Sequence, residues 1–171
     1  MADPKPDKSK IPPDLIVAPY DPTVAFVLPE QFYTNDVGVD LFVAEHQLVQ
    51  RGTKALVRTN VVAKMREGAM GLIVGRGSAY HSRGIHVIPG ILDPGYRGEI
   101  KVMVFAAGPK GVQLQRGERI AQLVLLPYLP IQRIAKAKDR TVLLEMAEDG
   151  ERGDRAFGST DQLVTPTEES D

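Results

Sequence analysis

Five short segments combine residue types that can do chemistry. The run Gly90-Ile91-Leu92-Asp93-Pro94-Gly95-Tyr96-Arg97-Gly98-Glu99-Ile100 holds a type II turn signal, with Pro94 and Gly95 at its two central positions. In a plain turn Asp93 only hydrogen-bonds the backbone, which is a common use of Asp. In a site, Asp93 is a general base at the start of the turn and Tyr96 offers a flat ring to a ligand. In Gly75-Arg76-Gly77-Ser78, a guanidinium beside small residues suits a phosphate, or else Arg76 is a solvated turn residue. In Gly117-Glu118-Arg119-Ile120-Ala121-Gln122-Leu123, Gln122 interrupts a run that should be buried. A buried amide needs partners, so Gln122 is either a core hydrogen-bonder or a group that positions ligand or water. Arg152-Gly153-Asp154-Arg155-Ala156-Phe157-Gly158-Ser159-Thr160-Asp161 is either a flexible tail or a closing arm. As an arm it pairs a stacking ring, Phe157, with phosphate donors. Gly38-Val39-Asp40-Leu41 is a strand with one inward or capping Asp, or a carboxylate near a hydrated metal.

These side chains must be positioned by β-structure. Short apolar runs are broken by turn residues, with candidate strands at Val24–Leu28, Val39–Val43, Ala55–Arg58, Gly71–Val74, Ile85–Ile88, Glu99–Ala106, Val112–Leu114 and Ile120–Leu126. Period-2 alternation, as in Lys101-Val102-Met103-Val104-Phe105, predicts an all-β sandwich or barrel. The 16 Gly and 13 Pro supply the turns. No long amphipathic helix is expected, since Gly68, Gly71, Gly75 and Gly77 would break one near Lys64–Met70. Residues 1–20 are too polar to order alone and read as a disordered or loosely attached arm. Residues 21–135 form the core, and 136–171 form a charged C-terminal arm.

Composition narrows the chemistry. With 21 basic and 22 acidic residues, the chain has no electrostatic footprint for nucleic acid or an anionic membrane. A small anionic ligand needs only a few arginines. The absence of cysteine excludes disulfides, zinc-thiolate sites and thiol catalysis. His46, His81 and His86 do not fall in a zinc-ligand spacing. No apolar stretch reaches membrane-spanning length and the first residues lack a signal-peptide core, so a soluble intracellular protein, cytoplasmic or nuclear, is expected. No segment identifies a protein partner.

In order and spacing the five segments resemble the five motifs of the trimeric dUTPase family, from about Val37 to Asp161. The resemblance implies a jelly-roll-like β-barrel or sandwich assembled as a homotrimer. Each active site would then take motifs from all three chains, with a C-terminal arm covering it. It implies hydrolysis of dUTP to dUMP and pyrophosphate with Mg²⁺ as cofactor. Asp93 would activate the water that attacks the α-phosphorus, and Gln122 would help hold that water. Arg76, Gly77 and Ser78 would cradle phosphates, and Asp40 would reach the metal through water. Arg152, Ser159 and Thr160 would contact the outer phosphates, and Phe157, followed by Gly158, would stack on uracil. Tyr96 would pack on the deoxyribose and leave no room for a 2′-hydroxyl. Backbone groups around Val87 to Gly90 would read the uracil edge. Arg119 would be structural, pairing within or between chains.

Four positions depart from the family pattern: Gly77 for Ser, Ala156 for Gly, Val37 for a small residue and Asp161 for Gly. Such departures resemble virus-encoded members. Gly77, Ala156 and the extra N-terminal arm favour a second reading, a catalytically weakened relative kept as an interaction module. Against it, Asp40, Arg76, Asp93, Tyr96, Gln122, Arg152 and Phe157 all stand. A third reading, dCTP deaminase, would need a Glu ten residues after the turn Asp; Met103 occupies that place.

Overall fold

A computed structural model of the chain describes residues 13–33, 35–138 and 141–142. In chain order its elements are β1 (Leu15–Pro19), β2 (Gly38–Phe42), β3 (Gln47–Val49), β4 (Lys54–Met65), β5 (Ala69–Gly75), α1 (Gly77–Arg83), β6 (Ile85–Val87), β7 (Gly90–Leu92), β8 (Ile100–Ala106), β9 (Val112–Leu114) and β10 (Arg119–Pro127). All pairing among them is antiparallel. One sheet has the order β1-β4-β8-β6, a second β2-β10-β5-β7, and β3 pairs with β9. The chain divides into two compact units, 1–130 and 131–171, and every strand among the described residues lies in the first. The fold is all-β, a jelly-roll-like sandwich. Among the described residues no helix is long and apolar enough to cross a membrane.

The alternation read from the sequence sets the sandwich. On β8, Ile100, Val102, Val104 and Ala106 are buried while Lys101 and Met103 face out. They join Val57 and Val61 of β4, Leu41 of β2, Ile73 of β5, Ile120 and Leu123 of β10 and Leu114 of β9 in one core. Each such fully buried side chain stabilises the fold by roughly 1.5–3 kcal/mol.

A bulge in β4 bends this frame. The β4–β8 register shifts between Arg58 and Val61, and Asn60 takes φ 56°, a left-handed conformation that Asn tolerates better than most residues. Asn60 is fully buried, and its side chain is saturated. Its Oδ1 accepts from Asp21 N at 2.8 Å, and its Nδ2 donates to Asp21 O at 3.1 Å and Val24 O at 2.9 Å. The Thr59 hydroxyl donates to Ile100 O at 2.6 Å across the bulge.

Two expectations are corrected here. Leu15–Pro19, expected within a loose arm, is β1 and pairs with Val61–Met65 of β4. β1 lies on the edge of β4 opposite β8, and Val61 pairs with both Pro19 and Ile100. Val24–Leu28, expected as a strand, is not one. Pro22 and Pro29 flank it and shorten any ladder it could join, and Asn60 Nδ2 takes the Val24 carbonyl. Three elements were not anticipated: β3, β7 and the seven-residue α1, which ends at Gly84 with φ 65°. The last strand stops at Pro127, short of residue 135.

Candidate active site

Three neighbouring strands deliver one group of polar side chains. In the β2–β10–β5 ladder, Asp40 pairs with Gln122, and Gln122 pairs with Val74. Arg76 follows directly on β5. Its Nε lies 3.0 Å from Asp40 Oδ1, and Arg119 Nε lies 2.9 Å from Asp40 Oδ2. Asp40 is only 9% exposed, so one carboxylate is clamped between two guanidinium groups. The buried Arg119 N–H is not aligned with an acceptor, and this second contact is an ion pair rather than a hydrogen bond. Arg119 also lies 5.5 Å from the Phe32 ring centre and 5.6 Å from that of Phe42, within cation–π range. Arg119 therefore pairs within its own chain, with Asp40 and, at 3.4 Å, Glu30.

Asp40, Arg76 and Gln122 line one cavity of about 280 Å³, walled on its other side by Phe32, Tyr33 and Asp36. The sequence reading missed those three. Their signal was two adjacent aromatics outside any alternating run, in a segment with no strand pattern. Asp36 Oδ2 accepts from Tyr33 N at 2.8 Å and fixes the loop.

A second group sits elsewhere. β6 ends at Val87 in one sheet and β7 begins at Gly90 in the other, so Ile88 and Pro89 cross between sheets. Ile88 N donates to Met103 O at 2.9 Å. Beside this crossing lies a cavity of about 380 Å³, lined mostly by apolar side chains, among them Ile73, Ile88 and Met103. Gly90, Asp93 and Tyr96 open onto it. Tyr96 N donates to Asp93 O at 3.0 Å and closes a turn, but Gly95 does not take positive φ, so the turn is not the type II form that the sequence signalled. The Asp93 side chain is exposed and meets no donor among the described residues. The Tyr96 hydroxyl donates to Glu99 O at 2.9 Å.

Glu99 is itself buried, 5% exposed. Arg58 Nε donates to its two oxygens at 3.0 and 3.1 Å, and Asn60 N donates to Oε1 at 3.0 Å. The hydrogen bond that Arg58 donates to Glu99 raises the Arg58 pKa above its ordinary value, so the guanidinium stays charged.

Val87 lines a third, smaller recess of about 180 Å³ with Arg76, Gly77 and Tyr80. Gly77 opens α1 and a Cβ there would meet nothing within 4 Å, so the backbone does not require glycine at this position. Ser78 follows it, exposed on α1. One chain thus brings Asp40, Arg76 and Gln122 together, and Gly90, Asp93 and Tyr96 together. It does not bring the two groups into one cavity. Arg152, Phe157, Gly158, Ser159 and Thr160 lie outside the described residues. Among the described residues no three His, Asp or Glu side chains group to hold a metal ion.

The family model for dUTPase matches residues 25–161. The chain belongs to the dUTPase family. It is 44% identical over 117 residues to the Gag-Pro polyprotein of mouse mammary tumor virus (strain BR6), a match covering 68% of this chain and 12% of the polyprotein. The chain thus spans about an eighth of that relative. It is 33% identical over 135 residues to the deoxyuridine 5′-triphosphate nucleotidohydrolase of Clostridium tetani, covering 78% of this chain and 88% of that protein. Among solved structures, a mutant dUTPase of Staphylococcus bacteriophage 80alpha with dUpNHpp superposes with a TM-score of 0.73 at 22% identity. That match covers 85% of this chain and 97% of the phage protein and shows the shared fold. The dUTPase match extends through residue 161 and so takes in the segment Arg152–Thr160.

Proposed function

We propose that this dUTPase-family chain hydrolyses dUTP to dUMP and pyrophosphate, in active sites shared between the subunits of a homotrimer. The observation that carries this reading is the split of the site. An apolar slot holds Gly90, Asp93 and Tyr96, and a separate arginine-lined cavity holds Asp40, Arg76 and Gln122. Neither is complete for a nucleoside triphosphate, and both are open. Docking one chain's slot against another's arginine cavity supplies base, sugar and phosphate contacts at once.

In the slot, uracil lies against Ile88 and Ile73 and its polar edge meets backbone groups between Val87 and Gly90. The Tyr96 ring packs on the deoxyribose. The Asp93 carboxylate, which meets no donor among the described residues, accepts a proton from the water that attacks the α-phosphorus in line. From the neighbouring chain, Gln122 holds that water and Arg76, Gly77 and Ser78 bind phosphate oxygens. Arg152, Ser159 and Thr160 bind the outer phosphates, and Phe157, beside Gly158, stacks on the base as the arm closes.

The donor set fits a hydrated Mg²⁺ that arrives with the triphosphate, because such an ion keeps its waters and needs few protein ligands. Asp40 keeps lone pairs beyond those facing its two arginines and would reach the ion through water. When bound, Mg²⁺ supplies charge neutralisation at the leaving pyrophosphate.

The test is pyrophosphate release from dUTP with Mg²⁺, beside UTP, dTTP and dCTP. Release from dUTP alone is expected. No release from a protein that still migrates as a trimer would replace this reading with an interaction module. Deamination of dCTP is not expected, since Met103 lines the Asp93 cavity where that chemistry needs a carboxylate.

A further inference from the structure

We infer that Gly98 and Glu99 are positioning residues for the Tyr96 ring and thereby set how strictly the site refuses a ribose. This rests on the reading of Tyr96 as the sugar platform. A Tyr side chain on a surface turn has two free torsions and, unheld, would swing clear of a 2′-hydroxyl. Here it is held at both ends. Its main-chain N–H closes the turn onto Asp93 O, and its hydroxyl donates to Glu99 O at 2.9 Å. Tyr96 is an exposed residue, and its ring folds back against Gly98.

Gly98 makes that fold-back possible. A Cβ on Gly98 would stand 2.5 Å from the Tyr96 hydroxyl oxygen and 2.7 Å from the ring carbon bearing it. Both are far inside contact distance, so any side chain at 98 displaces the ring. The conflict is with the ring, because the Gly98 backbone is not in the left-handed region.

Glu99 makes the anchor rigid. The carbonyl that receives the Tyr96 hydroxyl belongs to a residue whose buried carboxylate is held by Arg58 Nε and by the Asn60 main-chain N–H. Asn60 sits in the β4 bulge, deep in the fold. The chain of contacts runs from the core, through Glu99, to the phenol. A ring so fixed refuses a 2′-hydroxyl by steric exclusion, whereas a mobile one yields. Tyr96 touches the substrate; Gly98 and Glu99 act through it.

The experiment uses the full chain and four variants: Gly98→Ala, Tyr96→Phe, Glu99→Gln and Arg58→Lys. Two ratios are read. One is kcat/KM for dUTP over UTP. The other is calorimetric affinity for dUpNHpp over its ribose counterpart, which needs no turnover. Thermal unfolding reports the fold. Gly98→Ala is expected to unfold close to wild type and to narrow both ratios roughly tenfold or more. Tyr96→Phe keeps the ring but loses the anchor and is expected to narrow them less. Glu99→Gln keeps an acceptor for Asn60 N–H and is expected to retain most of the discrimination. A folded Gly98→Ala protein with wild-type ratios overturns the inference. Should that variant not fold, Arg58→Lys carries the test: it loses the fork onto Glu99, and unchanged ratios there overturn the inference equally. A wild-type chain that prefers the deoxy analogue but releases no pyrophosphate removes the hydrolysis reading and leaves the positioning role standing. A wild-type chain with no deoxy preference in binding overturns the positioning role itself.

Discussion

Replacing Asp40 by Asn removes one charge and keeps the shape. The carboxylate meets two guanidinium groups at 3.0 and 2.9 Å. At an effective dielectric near 20, unit charges in such contact attract by about 4 kcal/mol. The net worth is smaller. The Asp40 side chain is 11% exposed, but those of Arg76 and Arg119 are 31% and 35% exposed, so solvent screens each cation. Desolvation of the carboxylate takes back a further part. Breaking a fully buried pair costs about 3–5 kcal/mol, and the partial exposure here brings the expected loss to roughly 2–3 kcal/mol. Part of that loss is repulsion between two arginines left facing each other. The assay is urea unfolding at fixed protomer concentration, since stability of an oligomer depends on it. The loss should persist in high salt, because a pair at 3 Å is screened less than separated surface charges. A change below about 0.5 kcal/mol, the size of an ordinary surface substitution, would refute the clamp. So would a loss that vanishes in salt.

Asp93→Asn should keep the fold and dUTP binding and lose turnover in the pyrophosphate assay; turnover within a few-fold of wild type would show that Asp93 is not the base. Truncation after Gly150 should leave thermal unfolding of the core in place while cutting turnover steeply, and an unaffected rate would remove the closing arm. Asn60→Ala should cost about 3–4 kcal/mol in urea unfolding, from three lost side-chain hydrogen bonds at about 1 kcal/mol each and about 1 kcal/mol of left-handed strain. Asn60→Gly loses the same bonds without the strain, so it should be the milder of the two, which is the reverse of the usual order. Hydrogen bonds from the Thr23 hydroxyl and main chain hold the Asp21 pKa below its ordinary 3.8. The stability Asp21 contributes is therefore full above that value and is lost as pH falls through the lower, folded pKa. Asp21→Asn should lower the unfolding midpoint through the neutral region and flatten the acid limb below pH 3.8, so that the two profiles converge in acid.

Much of the frame was legible from local pattern. Strand side chains alternate every residue, so Ile100, Val102, Val104 and Ala106 announce their buried face on sight. The Asp93-Pro94-Gly95 run marked the place of a turn, because proline presets one torsion, but not its type, since Gly95 does not take the positive φ of a type II turn. The order of the five segments led to the family, and the family match runs through them. Local pattern failed where a partner far along the chain decides the outcome. Leu15–Pro19 is a strand because Val61–Met65, far along the chain, offers it the edge of β4 that faces away from β8. Val24–Leu28 is not one, and its first carbonyl, Val24 O, is taken by the Asn60 side chain.

The sequence by itself determined which residues could do chemistry: Asp93 in a turn, Tyr96 beside it, Arg76 among small residues, Gln122 in an apolar strand. Only the tertiary structure decided their company. Strand register set Asp40 opposite Gln122, and ion pairing then drew Arg76 and Arg119 onto one carboxylate. The crossing of Ile88 and Pro89 between sheets opened the slot beside Asp93. The same packing kept that slot apart from the arginine cavity. Such pairings join residues up to 82 positions apart, as Asp40 and Gln122 are. Periodicity carries only the identity of near neighbours, and contacts of that range exist only once the sheets have closed.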